Sequence, residues 1–484
     1  MKSSMISLQP DIPRVDPARA ERAVIALDRA LGGSKVLSAR EARERCEAYG
    51  RDMSETLPQV PDGVVLAVDA DDVATCLRIC EEHEVPVTPR GAGSGKTGGS
   101  VPVAGGIVLG LEGMRGVKEL SREDLLVVVE PGMILGDLQA LVEKEGLFYP
   151  PDPNSLEYCA IGGNAAENAG GPRAFKYGVT REYVLGCEAV LMGGTRIRAG
   201  KRSVKGVTGY DVVATMVGSE GTLGVFTELT LRLIPKPTEI ATLVAYFSAV
   251  AGAGKCVTEI VSRGLMPRCL ELVDEGALVA LRSNGAAVDP RAGAMLLIEI
   301  DGVDDLHPLL ERIGEACVAA GALDVVVAQD AAQRSRLWAA RRDLSPAIRK
   351  LCKSKLSEDV VVPRSKVPDL LSACDRIRDE ERIRMLAYGH AGDGNLHVNF
   401  LWDDDDDIPR VDRAIERMFR ETLRLGGTLS GEHGIGVLKA PYLPLEQSPE
   451  LIALQKRIKS AFDPKGLLNP GKIFLPNGAP HRAC

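Results

Sequence analysis

Three of the six histidines in this chain fall in two short glycine-rich segments, and the second segment places a glutamate directly before its histidine. His390 and His397 lie in the first segment, and Glu432 and His433 lie in the second. The first two histidines are an odd number of residues apart, so one extended strand cannot present both on one face, but a turn at 392–394 could bring them together. Two imidazoles and a carboxylate suit a divalent transition metal and leave positions open for a substrate. The spacing is not a standard zinc signature, so a cluster of hydrogen-bonded histidines without a metal remains the alternative interpretation.

A second concentration of chemistry lies in glycine-rich loops between short apolar runs. Residues 90–97 follow a strand pattern and come close to a triphosphate-binding P-loop, but Arg90 stands where that motif needs glycine, and no helix pattern follows Thr97. The glycines still allow backbone N–H groups to approach a pyrophosphate closely. Further loops of this kind supply contacts for a dinucleotide, at residues 150–155, 161–171, 176–178 and 218–224.

With these loops, residues 57–236 resemble the FAD-binding domain of the vanillyl-alcohol oxidase and p-cresol methylhydroxylase superfamily, which binds FAD without a Rossmann fingerprint. The resemblance implies FAD as cofactor. It is expected to be held non-covalently, because the 90–97 loop contains no histidine. Cys159, beside a glycine loop, is a candidate tether but is interpreted as a buried thiol. The residues implied to contact FAD are Arg90, Gly91, Ala92, Gly93, Ser94, Gly95, Lys96, Thr97, Pro151, Ser155, Gly162, Gly163, Asn168, Gly170, Glu220, Gly221, Gly224 and Asn469.

The two histidine segments resemble the paired motifs of the FAD-linked D-2-hydroxy acid dehydrogenases. That branch includes D-lactate dehydrogenases, the flavin subunit of glycolate oxidase and D-2-hydroxyglutarate dehydrogenase. By this resemblance His390, His397 and Glu432 would bind zinc or manganese, and His433 would act as the catalytic base. A neutral imidazole with a pKa near its ordinary value of ~6.5 can accept the hydroxyl proton of such a substrate.

A hydroxy acid also carries a carboxylate, which needs a cationic partner. Arg341 matches the arginine that performs this task in the family, three residues after a tryptophan, and Arg342 is its rival. Lys355 and Asn399 are weaker candidates for substrate contact. The resulting hypothesis is oxidation of a D-2-hydroxy acid to the 2-oxo acid by hydride transfer to FAD, with D-lactate or glycolate favoured. The alternatives are a metal-free oxidase or transferase of the same fold, and a flavin subunit that depends on a partner.

The elements that must position these residues indicate an α+β protein. The predicted divisions are an N-terminal helical segment (1–56), a two-subdomain FAD-binding domain (57–236), an α+β substrate or cap domain (237–425) and a C-terminal segment returning to the active site (426–484). Apolar periodicity predicts a pair of helices over 16–48. A strand, helix, strand unit is predicted over 63–69, 71–83 and 85–90.

Composition limits the partners. A net charge of -8 with no long basic run argues against nucleic-acid binding. The acidic run at 403–407 is interpreted as a solvated loop. Eleven cysteines are present without a C-x-x-C pair, so neither a disulfide framework nor an iron–sulfur cluster is expected. We therefore expect a cytoplasmic protein, compatible with a peripheral position at the inner membrane face and with a homodimer. Its external electron acceptor would be a quinone, a cytochrome, an electron-transfer flavoprotein or an iron–sulfur subunit.

Overall fold

A computed structural model of the chain describes residues 12–40 and 42–475. The first layer is a small sheet in the order β1-β2-β4-β3, in which the pairs β2/β4 and β3/β4 are parallel. The strand, helix, strand prediction is confirmed by β2, α3 and β3. The pair of helices expected over 16–48 is present as α1 and the short α2, but β1, which was not expected, lies between them and pairs with β2. The elements are α1 Pro17–Leu31, β1 Val36–Ser38, α2 Arg43–Glu47, β2 Gly63–Leu66, α3 Ala70–Glu82, β3 Val87–Arg90 and β4 Ile107–Gly110.

The second layer is an antiparallel sheet of short strands in the order β5-β6-β10-β8-β9. Its inner face packs on short helices, and the glycine-rich segments at 150–155, 161–171, 176–178 and 218–224 lie in the connections between its strands, whereas the 90–97 loop follows β3 of the first sheet. Two further short strands, β7 and β11, pair with each other. The elements are β5 Val117–Ser121, β6 Leu126–Val129, α4 Leu135–Lys144, β7 Leu147–Phe148, α5 Ile161–Glu167, α6 Ala174–Tyr177, β8 Val184–Val190, β9 Arg196–Gly200, α7 Val212–Met216, β10 Val225–Arg232 and β11 Ile234–Pro235.

The third layer is a larger antiparallel sheet in the order β15-β12-β14-β13-β17-β18-β16. The remaining helices pack around it or close the chain. The elements are β12 Glu239–Phe247, α8 Val250–Ser262, β13 Cys269–Asp274, α9 Glu275–Ser283, β14 Ala294–Gly302, α10 His307–Ala319, β15 Asp324–Val327, α11 Ala331–Arg342, α12 Leu344–Arg349, β16 Ser354–Val361, α13 Val367–Glu381, β17 Arg384–His390, β18 Asn395–Trp402, α14 Ile408–Arg424, α15 Leu443–Glu446 and α16 Pro449–Phe462.

The strands of the larger sheet present different side chains on their two faces. Alternate side chains of a strand point to opposite faces. On β18, Val398 and Phe400 are buried in the apolar core formed with α8, α10, α13 and α14, whereas His397 and Asn399 point to the other face. This second face carries the polar side chains and lies toward the glycine-rich loops. A second apolar cluster, formed with α9, α11 and α12, covers another part of this face. The polar side chains therefore occupy only the part of the second face that lies toward the glycine-rich loops.

A buried polar network joins the second layer to the larger sheet. The carboxylate of Asp301 accepts hydrogen bonds from Lys176 Nζ at 2.5 Å and from the Tyr177 hydroxyl at 2.8 Å. Arg268 Nη1 lies 3.4 Å from the same carboxylate, and its side chain is almost completely buried. Since buried charges need compensation, this carboxylate fixes how the glycine-loop layer sits on the sheet. No helix within the described residues is long and apolar enough to cross a membrane.

We expect Asp301→Ala to lower the free energy of unfolding by about 3–5 kcal/mol, because it leaves Lys176 and Arg268 without their buried carboxylate. Denaturant unfolding followed by circular dichroism would measure the change. Asp405→Ala, in the exposed run at 403–407, is the matched control and should change stability by less than about 0.5 kcal/mol. Equal effects of the two substitutions would contradict the assignment of Asp301 as a structural anchor.

Candidate active site

The hairpin of β17 and β18 brings the first two histidines together. Its register places Tyr388 opposite His397 and His390 opposite Asn395. His390 and His397 therefore share the polar face of the sheet, with ring centroids 5.4 Å apart. Gly394 makes the connecting turn with φ +87°, and a Cβ there would stand 1.9 Å from a carbonyl oxygen. The turn expected at 392–394 is confirmed.

The loop after α14 brings Glu432 and His433 to the same place. Glu432 Oε1 lies 3.6 Å from His390 Nε2 and 3.4 Å from His397 Nε2. Donor atoms that bind one tetrahedral ion at 2.0–2.2 Å are about 3.4 Å apart, so these distances fit a single divalent cation. The His433 ring stacks on His397 at a centroid distance of 5.3 Å. The donor set and its spacing thus fit a zinc or manganese ion beside a further imidazole.

Glu271 on β13 orients the first of these histidines. Its Oε1 lies 2.6 Å from His390 Nδ1, which leaves Nε2 of that ring facing Glu432. Its Oε2 accepts a hydrogen bond from Arg341 Nε at 2.8 Å, and Nη2 of the same guanidinium lies at 2.7 Å. Burial alone would raise the pKa of Glu271, but His390 and Arg341 lower it to about 2. A carboxylate that holds the far nitrogen of a metal-binding histidine is a common supporting feature of such sites.

Asp359 on β16 holds the loop that carries Glu432 and His433. Its Oδ2 accepts hydrogen bonds from the backbone N–H groups of Gly431, Glu432 and His433 at 2.9, 2.9 and 3.0 Å. Burial would raise the pKa of Asp359, but neighbouring imidazoles, Lys439 and these N–H donors keep that pKa well below its usual value. One ionised carboxylate therefore fixes the backbone of the whole segment.

Two residues of the predicted FAD site hold the same loop from the opposite side. Glu220 accepts hydrogen bonds from the backbone N–H groups of Ile435 at 2.7 Å and Gly436 at 2.6 Å. The hydroxyl of Thr97 donates to the carbonyl oxygen of His433 at 3.0 Å. The loop is thus fixed between the larger sheet and the glycine-rich layer.

The buried histidines differ in their protonation. Burial lowers the pKa of His397 to about 3 and lowers that of His433 below its ordinary value. Burial also acts to lower the pKa of His390, but the carboxylates of Glu271 and Glu432 outweigh it and raise that pKa well above its ordinary value. At neutral pH His433 is therefore uncharged and can accept a proton.

A cavity of about 710 Å³ connects this cluster with the glycine-rich loops. Its volume lies in the range usual for small-molecule sites. A Cβ added to Gly163 would meet nothing within 4 Å, so the backbone there leaves room for a close ligand. Asn164 Nδ2 and Glu167 Oε2, on cavity-lining residues, are buried without a hydrogen-bond partner, as expected for a polar ligand's site. The predicted FAD residues that line the cavity are Arg90, Gly91, Ala92, Gly93, Ser94, Gly95, Lys96, Ser155, Gly162, Gly163, Glu220, Gly221 and Gly224.

The remaining predicted FAD residues lie just behind this lining. Thr97 is one of them. The carbonyl oxygen of Pro151 accepts a hydrogen bond from a glutamine side chain, and Asn168 ends α5 in a left-handed conformation. Gly170 lies against Glu432, where an added Cβ would come within 3.2 Å of its carboxylate. Asn469 donates to the carbonyl oxygens of Gly99 and Glu220 at 2.9 and 2.8 Å. These positions support the loops whose surfaces form the cavity.

The predicted substrate residues occupy different environments. Arg341 and Arg342 both line the cavity, but Arg341 is buried against Glu271, whereas Arg342 is exposed. Lys355 also lines the cavity, is 9% exposed and donates to the Ser345 hydroxyl at 2.8 Å. Asn399 is fully buried beside His397, donates to that residue's carbonyl oxygen, and lies outside the cavity lining.

Sequence reasoning missed Glu271 and Asp359. Glu271 is an acidic residue between apolar neighbours of β13, and this is a local signal that could have singled it out, whereas Asp359 follows polar and charged residues of β16 and carries no such signal. The partners of both carboxylates come from distant parts of the chain, so spacing alone does not reveal their task.

Comparison with known proteins gives consistent matches. Residues 61–200 match the family described as FAD binding domain, and residues 236–473 match FAD linked oxidases, C-terminal domain. The chain is 40% identical over 430 residues to the glycolate oxidase subunit GlcD of Bacillus subtilis, covering 88% of this chain and 92% of that protein. It is 36% identical over 425 residues to a D-lactate dehydrogenase of Anaerostipes hadrus, covering 85% and 89%. A structure of p-cresol methylhydroxylase matches with a TM-score of 0.79 at 17% identity, over 95% of this chain and 98% of that one.

The fold is therefore that of the vanillyl-alcohol oxidase and p-cresol methylhydroxylase flavoproteins, an FAD-binding domain of that type joined to a second α+β unit. Within that class, the chain belongs to the family of FAD-linked oxidases and dehydrogenases that includes GlcD and D-lactate dehydrogenases. It is an FAD-linked oxidoreductase. The family, the fold class and FAD as cofactor, all expected from the glycine loops and histidine segments, are confirmed.

We expect Asp359→Asn to loosen the loop that carries Glu432 and His433. Hydrogen bonds to a charged acceptor contribute about 1.5–3 kcal/mol, so amide exchange at residues 431–433 should accelerate about tenfold or more. Hydrogen exchange followed by mass spectrometry would measure this. Asp369→Asn, at an exposed carboxylate that pairs with Lys366, is the control and should leave those amides unchanged. Unaltered exchange in Asp359→Asn would contradict the anchoring assignment.

Proposed function

We propose that this protein oxidises a D-2-hydroxy acid, with D-lactate or glycolate favoured, to the corresponding 2-oxo acid. The observation that carries the proposal is the convergence of His390, His397 and Glu432 beside His433, in the same cavity as the glycine-rich loops. When bound, FAD accepts the hydride from C2 of the substrate, and zinc or manganese polarises the hydroxyl oxygen. The names of the relatives, a glycolate oxidase subunit and a D-lactate dehydrogenase, support this substrate class.

His433 is the proposed base. It is neutral at physiological pH because burial lowers its pKa, and it sits at the cavity wall on a backbone held by Asp359 and Thr97. A base placed in this way accepts the hydroxyl proton as hydride leaves the neighbouring carbon. His390, His397 and Glu432 would hold the metal, and Glu271 keeps His390 turned toward it.

Lys355 and Arg341 are the proposed partners of the substrate carboxylate. Arg341 shares its charge with Glu271, whereas Lys355 forms no ion pair with any residue of 12–40 or 42–475. Burial, with the nearby charges of Lys96 and Arg349, lowers the pKa of Lys355 to about 8. A buried, uncompensated ammonium is a strong attractor for an anion, so Lys355 would contribute the larger share of carboxylate binding.

The electrons must then leave to an external acceptor. We propose a quinone, a cytochrome, an electron-transfer flavoprotein or an iron–sulfur subunit. The relative GlcD is named as a subunit. This favours, as the second candidate arrangement, a protein partner that takes the electrons from this chain. In that arrangement this chain would reduce its own flavin and pass the electrons to the partner.

The reaction is tested by anaerobic bleaching of the bound flavin with D- and L-lactate, glycolate and D-2-hydroxyglutarate. D-selective bleaching that is lost on chelation and restored by zinc or manganese is the expected result. His433→Ala should slow flavin reduction by about 10²–10⁴-fold without release of FAD, because it removes the base.

The control is His307→Ala, at an exposed histidine far from the cavity lining, which should reduce its flavin at the normal rate. Bleaching that persists after complete metal removal would refute the metal and favour a metal-free oxidase. A flavin that no 2-hydroxy acid reduces in metal-replete protein would refute the substrate class.

Binding of the hydroxy acid should also weaken as the pH rises through about 8. The fold lowers the pKa of Lys355 to about that value, so the ammonium loses its charge there and no longer attracts the substrate carboxylate. Lys355→Met should raise KM about tenfold or more and remove this pH dependence. Steady-state kinetics across the pH range would measure both effects. Lys353→Met, at an exposed lysine two residues away, should change neither. An unchanged KM in Lys355→Met would show that this ammonium does not bind substrate.

A further inference from the structure

A loop of residues 201–211, between β9 and α7, exposes apolar side chains to an unusual degree. Val204 is 86% exposed, and Val207 and Tyr210 are each 99% exposed. No other large apolar side chain of the described residues exceeds 67% exposure. None of the three lines the active-site cavity. Their exposure therefore needs an explanation other than the chemistry of that site.

The loop has a defined shape. Gly200 and Gly209, near its ends, have φ of +88° and +80°, values that favour glycine. Lys201 Nζ donates to the carbonyl oxygen of Gly206 at 3.1 Å. Asp211 accepts a hydrogen bond from the backbone at the start of α7 and anchors the loop there. The apolar side chains are thus presented on a short projection with fixed ends.

The charge around the loop is positive, although the whole chain is acidic. Five cationic residues occur from residue 196 to residue 210, and Asp211, which caps α7, is the one carboxylate of the 201–211 loop. Three of the five, all arginines, pair with acidic side chains elsewhere. Lys201 and Lys205 form no ion pair with any residue that the structure describes. Because salt screens charges beyond about 8–10 Å, these lysines decide the local field more than the net charge of -8 does.

We propose that the 201–211 loop docks the protein on an anionic phospholipid surface. Val204, Val207 and Tyr210 would enter the interfacial region, where tyrosine is favoured, and Lys201 and Lys205 would lie against the lipid phosphates. Successive apolar side chains of the loop are three positions apart in the sequence, and a glycine and one polar or charged residue lie between each two. They lie on one exposed loop together with two lysines that form no ion pair, and this combination of apolar and cationic side chains favours an anionic lipid surface as the occupant.

The test is sedimentation of the full-length holoprotein with vesicles of phosphatidylglycerol mixed with phosphatidylcholine, and with vesicles of phosphatidylcholine alone. We expect binding to the anionic vesicles that weakens as ionic strength rises. The triple variant V204S/V207S/Y210S should lose about tenfold or more in partitioning. The variant K201Q/K205Q should lose about fivefold for each lysine removed.

The matched control is V303S/V318S, which replaces two valines that are each 67% exposed elsewhere on the surface and should bind vesicles like the unaltered protein. Absence of binding to anionic vesicles would overturn the proposal, as would equal binding by the triple variant. A change in the molar mass of the triple variant, measured by light scattering, would also overturn it, because the loop would then belong to a contact between protein chains. Anaerobic flavin reduction by the same variants is expected to be normal, so the outcome is independent of the substrate assignment.

Discussion

The carboxylate of Asp359 is the constraint on which the site depends. It lies fully buried on β16, the edge strand of the larger sheet, and accepts hydrogen bonds from three successive backbone N–H groups of the loop that carries Glu432 and His433. An uncompensated charge in that position would be very unfavourable, so the loop and the strand must meet in this one arrangement. Neither the strand nor the loop could move without leaving the carboxylate or the N–H groups unsatisfied.

Two other buried carboxylates extend the same principle. Glu271 holds His390 and Arg341 on one side, and Glu220 holds the end of the loop on the other. Each is compensated by donors from an element distant in sequence. The result is a set of buried carboxylates, each held by donors, whose geometry is set by the fold and not by flexible side chains. His390, Glu432 and His433 are therefore held in fixed orientations before any ligand arrives.

The sequence was most informative where chemistry depends on short spacing. The glycine loops predicted FAD, and the turn that brings His390 and His397 together was predicted from the glycines between them. It was least informative where partners lie far apart in the chain. Glu271 meets His390 across 119 residues, and no local pattern reveals that pairing. In the N-terminal region the two helices were expected, but β1 was not, for a related reason. This strand forms by pairing with the edge of β2, and helical periodicity in the sequence gives no sign of that pairing.

The strand β18 contributes side chains to both faces of the sheet, and this limits how its sequence can change. Val398 and Phe400 fill the apolar core, while His397 and Asn399 face the active site. Insertion or loss of a single residue would exchange the two sets, and would bury an imidazole in the core while pointing phenylalanine at the reacting groups. The strand can therefore vary in side chains but hardly in length. Change in what this enzyme accepts is least constrained at exposed cavity-lining positions such as Pro346 and Arg349 of α12, whose opposite side packs in a core cluster.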